Sequence, residues 1–362
     1  MSNLISLPEI INLLSAELLE PDTNAEDNKL IITKQPPELL LTPEGKRLIF
    51  IDASSLKNYT CNQAFFWTVK ESYQKINAYS KHALSYGSAI HIFLEHFYKG
   101  LLVSECLALA VKYYTPFHET LSMSDSEFRT MSNLQQTCLV YAKRYPRNVT
   151  EDFKPHQDNE TNKTVEYKFA IPLWSNNKYQ LVLSGTVDLP CSYLGYPLLL
   201  VDHKTSSMHF AKAKEYMSGY SLDIQTMLYS KVYKEILELD TYPPVMINGI
   251  FIKKPTKIAS DKGLWDGVNF YRSNIIAYSE EQMEDFNIWF DRTIGEIINI
   301  ISLATASEDA GENYNYNYNI ASCKSSYGHC KFFEVCNKPR RFHQTLLNQN
   351  YIVKQYNPLA FR

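Results

Sequence analysis

Apolar residues between about residue 52 and Arg147 recur every three to four positions, the spacing of helices with one buried face. The pattern predicts helices around 61–76, from 87 onward in GSAIHIFLEHFY, over 104–114 and within 125–145. At YPRN (145–148) the period changes. VEYKFAIPL (165–173), YQLVLSGTVDLP (179–190) and YPLLLVDHK (196–204) read as strands separated by turn residues. SLDIQTMLYSKVYKEILE (221–238) returns to a helical period, and VMINGIFIKKP (245–255) and VNFYRSNIIAYS (268–279) read as further strands. Toward the end, Phe286, Trp289, Phe290, Ile294, Ile297 and Ile298 form a helical stripe expected to face a core. A short amphipathic helix is expected in LPEIINLLSAELL (7–19), and the Asn/Tyr alternation of ASEDAGENYNYNYN (306–319) is expected to be a surface loop. The sum is an α/β chain in four stretches: an N-terminal extension (1–50), a helical region (51–150), a strand-rich core (151–280) and a C-terminal helix with a cysteine-rich tail (281–362).

With 362 residues, 45% of them hydrophobic and 21% charged, the chain has the means to bury a large core. The formal net charge of -3 excludes a global basic signature, so any nucleic-acid contact must rest on a local patch. Two such patches are Lys253, Lys254 and Lys257 in IFIKKPTK, and Lys338, Arg340 and Arg341 in CNKPRRFH. No secretion signal opens the chain and no run of about 18 apolar residues is present, so an intracellular, cytoplasmic protein with no membrane association is expected.

Chemistry concentrates where LLLVDHKTSS (198–207) carries four apolar residues into an acid and two bases. Alternate strand residues share a face, so Asp202 and Lys204 project together while His203 projects oppositely. If CSYLGY turns the chain back on itself, Asp188 lies near Asp202 at one sheet end. Two adjacent carboxylates stay ionised at modest cost only with a cation between them, and oxygen ligands suit a hard divalent ion. Lys204 would then orient or help deprotonate a water and offset charge on a phosphate. A second cluster, Cys323, Cys330 and Cys336 in CKSSYGHCKFFEVC, is too short and polar to bury each thiol separately; zinc and iron–sulfur, each wanting a fourth ligand, are the alternatives, with unused thiols as the third reading. Cys106 and Cys138 lie in helical patterns and read as small core side chains.

GTVD (185–188) followed by VDHKTS (201–206) resembles the PD-(D/E)XK nuclease superfamily, in particular its RecB-like exonuclease branch, which includes Cas4 and AddB-type nucleases. The resemblance implies a restriction-endonuclease-like core with a mixed central sheet. It implies Asp188 and Asp202 as metal ligands and Lys204 as the catalytic lysine. IQTMLY matches the branch's Q-x-x-x-Y helix through Gln225 and Tyr229, which share one helix face. YGSAIHIFLEHFY matches its G-x-x-x-H-x-x-x-E element through Gly87, His91 and Glu95, making His91 a third ligand to Mg²⁺ or Mn²⁺, with the His203 carbonyl completing the set. Glu166 resembles the branch's acidic residue ahead of the metal motifs. Cys61, in SSLKNYTCNQAFFW, resembles the upstream cysteine that members with a cluster pair with three near the tail, so the resemblance favours a [4Fe-4S] cluster on Cys61, Cys323, Cys330 and Cys336 over zinc, clasping the two ends of the chain. It implies a metal-dependent deoxyribonuclease, an exonuclease on single-stranded DNA or DNA ends in repair, recombination or replication. No phosphate loop of the G-x-x-x-x-G-K-[ST] type is present, so unwinding would need a separate helicase or recombination partner. The competing expectation is a non-catalytic nucleic-acid-binding or assembly protein that keeps the fold.

Overall fold

A computed structural model describes residues 40–76, 82–119, 129–147, 152–157, 164–256, 265–325, 328–355 and 357. The expected helix at 7–19 and Lys257 lie outside these residues. Along the chain, β1 (Arg47–Ile51) leads into α1 (Ala53–Lys57), α2 (Asn62–Val69) and β2 (Tyr73–Lys75). Three helices follow: α3 (His82–Lys99), α4 (Val103–His118) and α5 (Met131–Arg144). Then come β3 (Lys154–Pro155), β4 (Tyr167–Ser175), β5 (Tyr179–Val187), β6 (Leu189–Tyr193) and β7 (Tyr196–Ser206). After α6 (Ala213–Ser218) and α7 (Ile224–Ile236), the strands β8 (Val245–Ile252) and β9 (Val268–Arg272) precede the long α8 (Glu280–Asp309). The tail carries β10 (Lys324–Ser325), β11 (Gly328–His329), α9 (Phe333–Cys336), α10 (His343–Asn350) and β12 (Tyr351–Val353). No helix among the described residues is long and apolar enough to cross a membrane.

The chain divides into two compact units whose segments interleave in sequence. One comprises residues 77–167 and 186–297. Its sheet runs in the order β3-β6-β7-β8-β9, with β7 and β8 parallel and the other neighbours antiparallel, so the sheet is mixed as expected. β8 is buried along its whole length, as a parallel strand covered on both faces should be. Tyr86, Ala89, Ile90, Phe93, Leu94 and Phe97 put one stripe of α3 into the core, where they join Leu199, Val201 and Ile250 of the sheet and the buried Cys106 and Cys138. Gly87 fits here for a steric reason. A Cβ at this position would stand 2.9 Å from Thr205 Oγ1, so the missing side chain lets the helix come close to the end of β7.

The other unit comprises residues up to Ile76, 168–185 and 298–361. Its sheet has the order β1-β5-β4, with β1 parallel to β5, and β12 pairs with β2 antiparallel. The predicted helix over 61–76 is shorter than its apolar pattern: α2 stops at Val69, Ser72 takes a φ of 62°, and β2 begins at Tyr73. The long C-terminal helix forms as expected, but its buried stripe runs through Phe286, Phe290, Ile294 and Ile297, leaving Trp289 36% exposed. Of the tract expected to be a surface loop, residues 306–309 belong to the end of that helix and 312–319 are irregular, with Tyr316 buried rather than at the surface.

The approach of α3 to β7 sets where His91 stands, one turn beyond Gly87. Gly87→Val should therefore cost about 1–3 kcal/mol through overpacking, read as a lowered urea midpoint with an unchanged slope.

Candidate metal centre

The candidate centre lies within the unit of residues 77–167 and 186–297. Asp188 occupies the single residue between β5 and β6. Because β6 and β7 pair with Leu189 opposite Val201, Asp188 falls beside the DHK segment, and its Oδ2 accepts the His203 backbone N–H at 2.7 Å. The Asp188 carbonyl accepts the Glu166 N–H at 2.8 Å, drawing a third segment in. Glu166 has a φ of 55°, in the left-handed region, a strain of about 1–3 kcal/mol that tends to persist where a side chain must be aimed.

The third member comes from α3. His91 Nδ1 stands 3.4 Å from Asp188 Oδ1 and 3.7 Å from Glu166 Oε1. Neither approach has hydrogen-bond geometry, so Nδ1 is a buried polar atom without a hydrogen-bond partner. Among the described residues, His91, Glu166 and Asp188 form the one group of three or more acidic, imidazole or thiol side chains whose ligand atoms lie within 4.8 Å of one another. One imidazole and two carboxylates suit a divalent cation, and the unmatched nitrogen gives it a ligand.

Asp202 and Lys204 do project together. Lys204 Nζ lies 2.8 Å from Asp202 Oδ2 and 3.0 Å from Oδ1, and donates to Gln225 Oε1 at 3.1 Å. Gln225 Nε2 donates in turn to Asp202 Oδ1 and to Tyr229 Oη, each at 3.2 Å. The Asp223 side chain caps α7 by accepting the Gln225 N–H at 2.8 Å, fixing the turn from which Gln225 reaches the strand. Gln225 and Tyr229 therefore share one helix face and one network. The His203 ring points the other way, as strand alternation requires: its Nδ1 accepts from Asn248 Nδ2 at 2.9 Å and the ring stacks on Tyr98. Glu95, expected near His91, pairs with Lys99 instead.

Of the expected ligand set His91, Asp188, Asp202 and the His203 carbonyl, convergence brings together His91 and Asp188 with Glu166. The strand pattern alone did not promote Glu166, because its aim depends on a left-handed backbone that a Glu does not advertise. The signal available was its place just before a strand and ahead of GTVD.

Electrostatics follow from burial. Desolvation would lower the His91 pKa, but Asp188 and then Glu166 outweigh it and hold the imidazole up at about 10. Burial would raise Asp188, yet the charge of His91 keeps it well below the ordinary carboxylate range. Asp202 moves oppositely: burial first, with repulsion from Asp188, pushes it up against the pull of Lys204. Lys204 is raised despite desolvation, chiefly by Asp202, and is an ammonium at neutral pH. Burial drives His203 down to about 3, so that ring is neutral.

A profile of the PD-(D/E)XK nuclease superfamily matches residues 53–337. The chain belongs to the PD-(D/E)XK nuclease superfamily. The match takes in every member of the two networks above, together with Cys61, Cys323, Cys330 and Cys336. No curated protein matches the chain.

The cysteine cofactor expected for this PD-(D/E)XK chain is corrected by the structure. Cys61, Cys323, Cys330 and Cys336 do not gather into a ligand group, so neither the [4Fe-4S] cluster nor zinc is supported, and the one convergent metal set contains no cysteine. Cys61 and Cys323 each turn their sulfur to the backbone of Asn319: Cys61 Sγ accepts its N–H at 3.4 Å and Cys323 Sγ donates to its carbonyl at 3.8 Å. Burial, and then the neighbouring Cys330, pushes the Cys323 thiol up and Cys336 to about 12, away from the thiolate a soft metal needs. The tail meets the segment around Cys61 through aromatic packing instead, with Trp67 edge-on to Phe332 and Phe332 stacked on Tyr351.

A cation at this centre must displace the His91 proton, so affinity should rise with pH. Calorimetric titration with Mn²⁺ in buffers of different ionisation enthalpy should show close to one proton released per ion at pH 7, falling toward zero above pH 10. Without metal the sign is reversed. The pairing of protonated His91 stabilises the fold fully below about pH 6.5 and is lost as pH rises through about 10.

Proposed function

We propose that the protein is a divalent-metal-dependent deoxyribonuclease that hydrolyses phosphodiester bonds in single-stranded DNA or at DNA ends. The observation that carries the reading is the convergence of His91, Glu166 and Asp188 beside an ammonium, Lys204, that two partners hold in place. Superfamily membership supports nuclease chemistry, and the RecB-like order of the histidine helix, GTVD, VDHK and Q-x-x-x-Y supports action from ends.

In this reading His91, Glu166 and Asp188 hold Mg²⁺ or Mn²⁺, which when bound supplies Lewis-acid stabilisation of charge on the phosphoryl group. Because Lys204 is protonated, its part is electrostatic: it orients a water and meets the charge that grows on the phosphate oxygens. Asp202 and Gln225 are positioning residues for that ammonium, and Tyr229 holds Gln225. Duplex opening by a helicase or recombination partner belongs to this reading, since no motor motif lies within these residues.

Cleavage of end-labelled linear and circular single strands in Mg²⁺ and Mn²⁺ tests the reading. Lys204→Ala should lower the rate by about 10²-fold or more and Gln225→Ala by a smaller factor, both with an unchanged circular-dichroism spectrum. Full activity in Lys204→Ala would sink the assignment. Binding without cleavage by the unaltered chain, across both metals, would favour a non-catalytic nucleic-acid-binding protein.

A further inference from the structure

Between β7 and α7, within the unit that holds the metal centre, residues 207–222 fold as α6 with a short 3₁₀ turn on each side, Phe210–Lys212 and Gly219–Leu222. Met217 seats this segment on the sheet. A Cβ at Gly249 would stand 2.3 Å from Met217 Cε, so the bare backbone of β8 is the notch that receives it, and Gly249 is the register partner of Lys204 on β7. The segment is thereby fixed beside the ammonium of Lys204, whose Nζ lies 5.9 Å from the centre of the Tyr220 ring.

From Tyr220 a row of rings leads outward: Tyr220 to Tyr216 at 5.7 Å, Tyr216 to Phe251 at 6.3 Å, and Phe251 to Phe210 at 5.7 Å. Packing on the sheet accounts for the buried Ala213, Met217 and Phe251, but not for Phe210 and Met208, which are each 39% exposed. The charged side chains of the segment are Lys212, Lys214 and Glu215, all exposed, and none forms an ion pair with a described residue. Lys253 of the IFIKKPTK patch, by contrast, is committed to Asp266 at 3.0 Å. The two phenols add a donor. Tyr216 Oη and Tyr220 Oη share one hydrogen bond at 3.1 Å, which uses one hydroxyl hydrogen and leaves the other to donate. An exposed ring, uncommitted cations and a hydroxyl donor, set beside a lysine that meets a phosphate, are the parts with which proteins hold single strands.

We infer that residues 207–222 are the platform for the strand being cut: an unpaired base stacks on Phe210, adjoining phosphates lie at Lys212 and Lys214, and the Tyr216–Tyr220 pair donates to the strand next to Lys204. The inference rests on reading the protein as a nuclease, and it narrows the substrate to a strand with unstacked bases beside the scissile phosphate.

Fluorescence anisotropy of the full chain with a short labelled single strand, in EDTA so that nothing is cleaved, tests it against an otherwise identical strand of abasic residues. Phe210→Ala should weaken the base-bearing strand about tenfold and leave the abasic strand unchanged. Lys212→Ala combined with Lys214→Ala should weaken both strands and reduce the slope of log affinity against log salt by about 1.4. All three side chains are exposed, so the fold is expected to survive, checked by circular dichroism. No strand binding by the unaltered protein, or variants that bind as it does, would overturn the inference. So would a dimer of the unaltered protein, seen by sedimentation, that Phe210→Ala returns to monomer with strand binding unchanged, because the face would then belong to a second copy of the chain. The expected binding pattern in a protein that never cleaves would defeat the nuclease reading alone. Lys204-dependent cleavage with strand binding indifferent to the three substitutions would defeat the platform alone.

Discussion

A carboxylate that stays ionised while only 5% exposed must be compensated from every side, and Asp188 organises its unit around that requirement. Its side chain takes the His203 N–H, its carbonyl takes the Glu166 N–H, and the imidazole of His91 supplies the opposing charge. These contacts bring β6, β7, the start of β4 and α3 to one point. Asp202 completes the arrangement by taking its neutralising charge from Lys204 rather than from the same imidazole. Two carboxylates thereby share a sheet end with separate partners, and their affinities for protons are driven apart.

Elsewhere buried cations are handled by a second device, aromatic surface. Arg272 pairs with Asp152 at 2.6 Å and lies over the rings of Phe153 and Tyr145 at 3.8 and 4.0 Å. Lys70, in the other unit, sits over the Tyr179 ring while holding its two glutamates. Rings cover these charges and exclude water, and carboxylates satisfy them. The abundance of tyrosine, 26 residues, has a structural use here before any functional one.

Much of this was legible in the chain. Alternation in LLLVDHK placed Asp202 with Lys204 and turned His203 away, and i,i+4 spacing put Gln225 with Tyr229. Those inferences are local, and local geometry is what periodicity encodes. Glu166 was harder because its placement depends on a positive φ and on a hydrogen bond to a residue 22 positions away in sequence. The cysteines misled for a related reason. Spacing reports that thiols are near in sequence, whereas ligation needs their sulfurs to converge, and the Asn319 backbone holds two of them otherwise. Trp289 was assigned to the wrong side of its helix because a stripe is wider in sequence than the core it meets.

The interleaving of the two units has a consequence for how the chain matures. One unit needs β1, the hairpin of β4 and β5, and the tail beyond residue 298, and the other lies between those pieces in sequence. As the polypeptide leaves the ribosome, β1 emerges long before its parallel partner β5, and β2 waits for β12, paired through Tyr351 and Lys75, until residue 351 has been made. Such long-range pairings are slow to close, and early strands with open edges are exposed in the interval. Newly made chains are thus at their most aggregation-prone before the tail appears, and the time a cell takes to translate the stretch between β2 and β12 becomes part of the protein's folding problem.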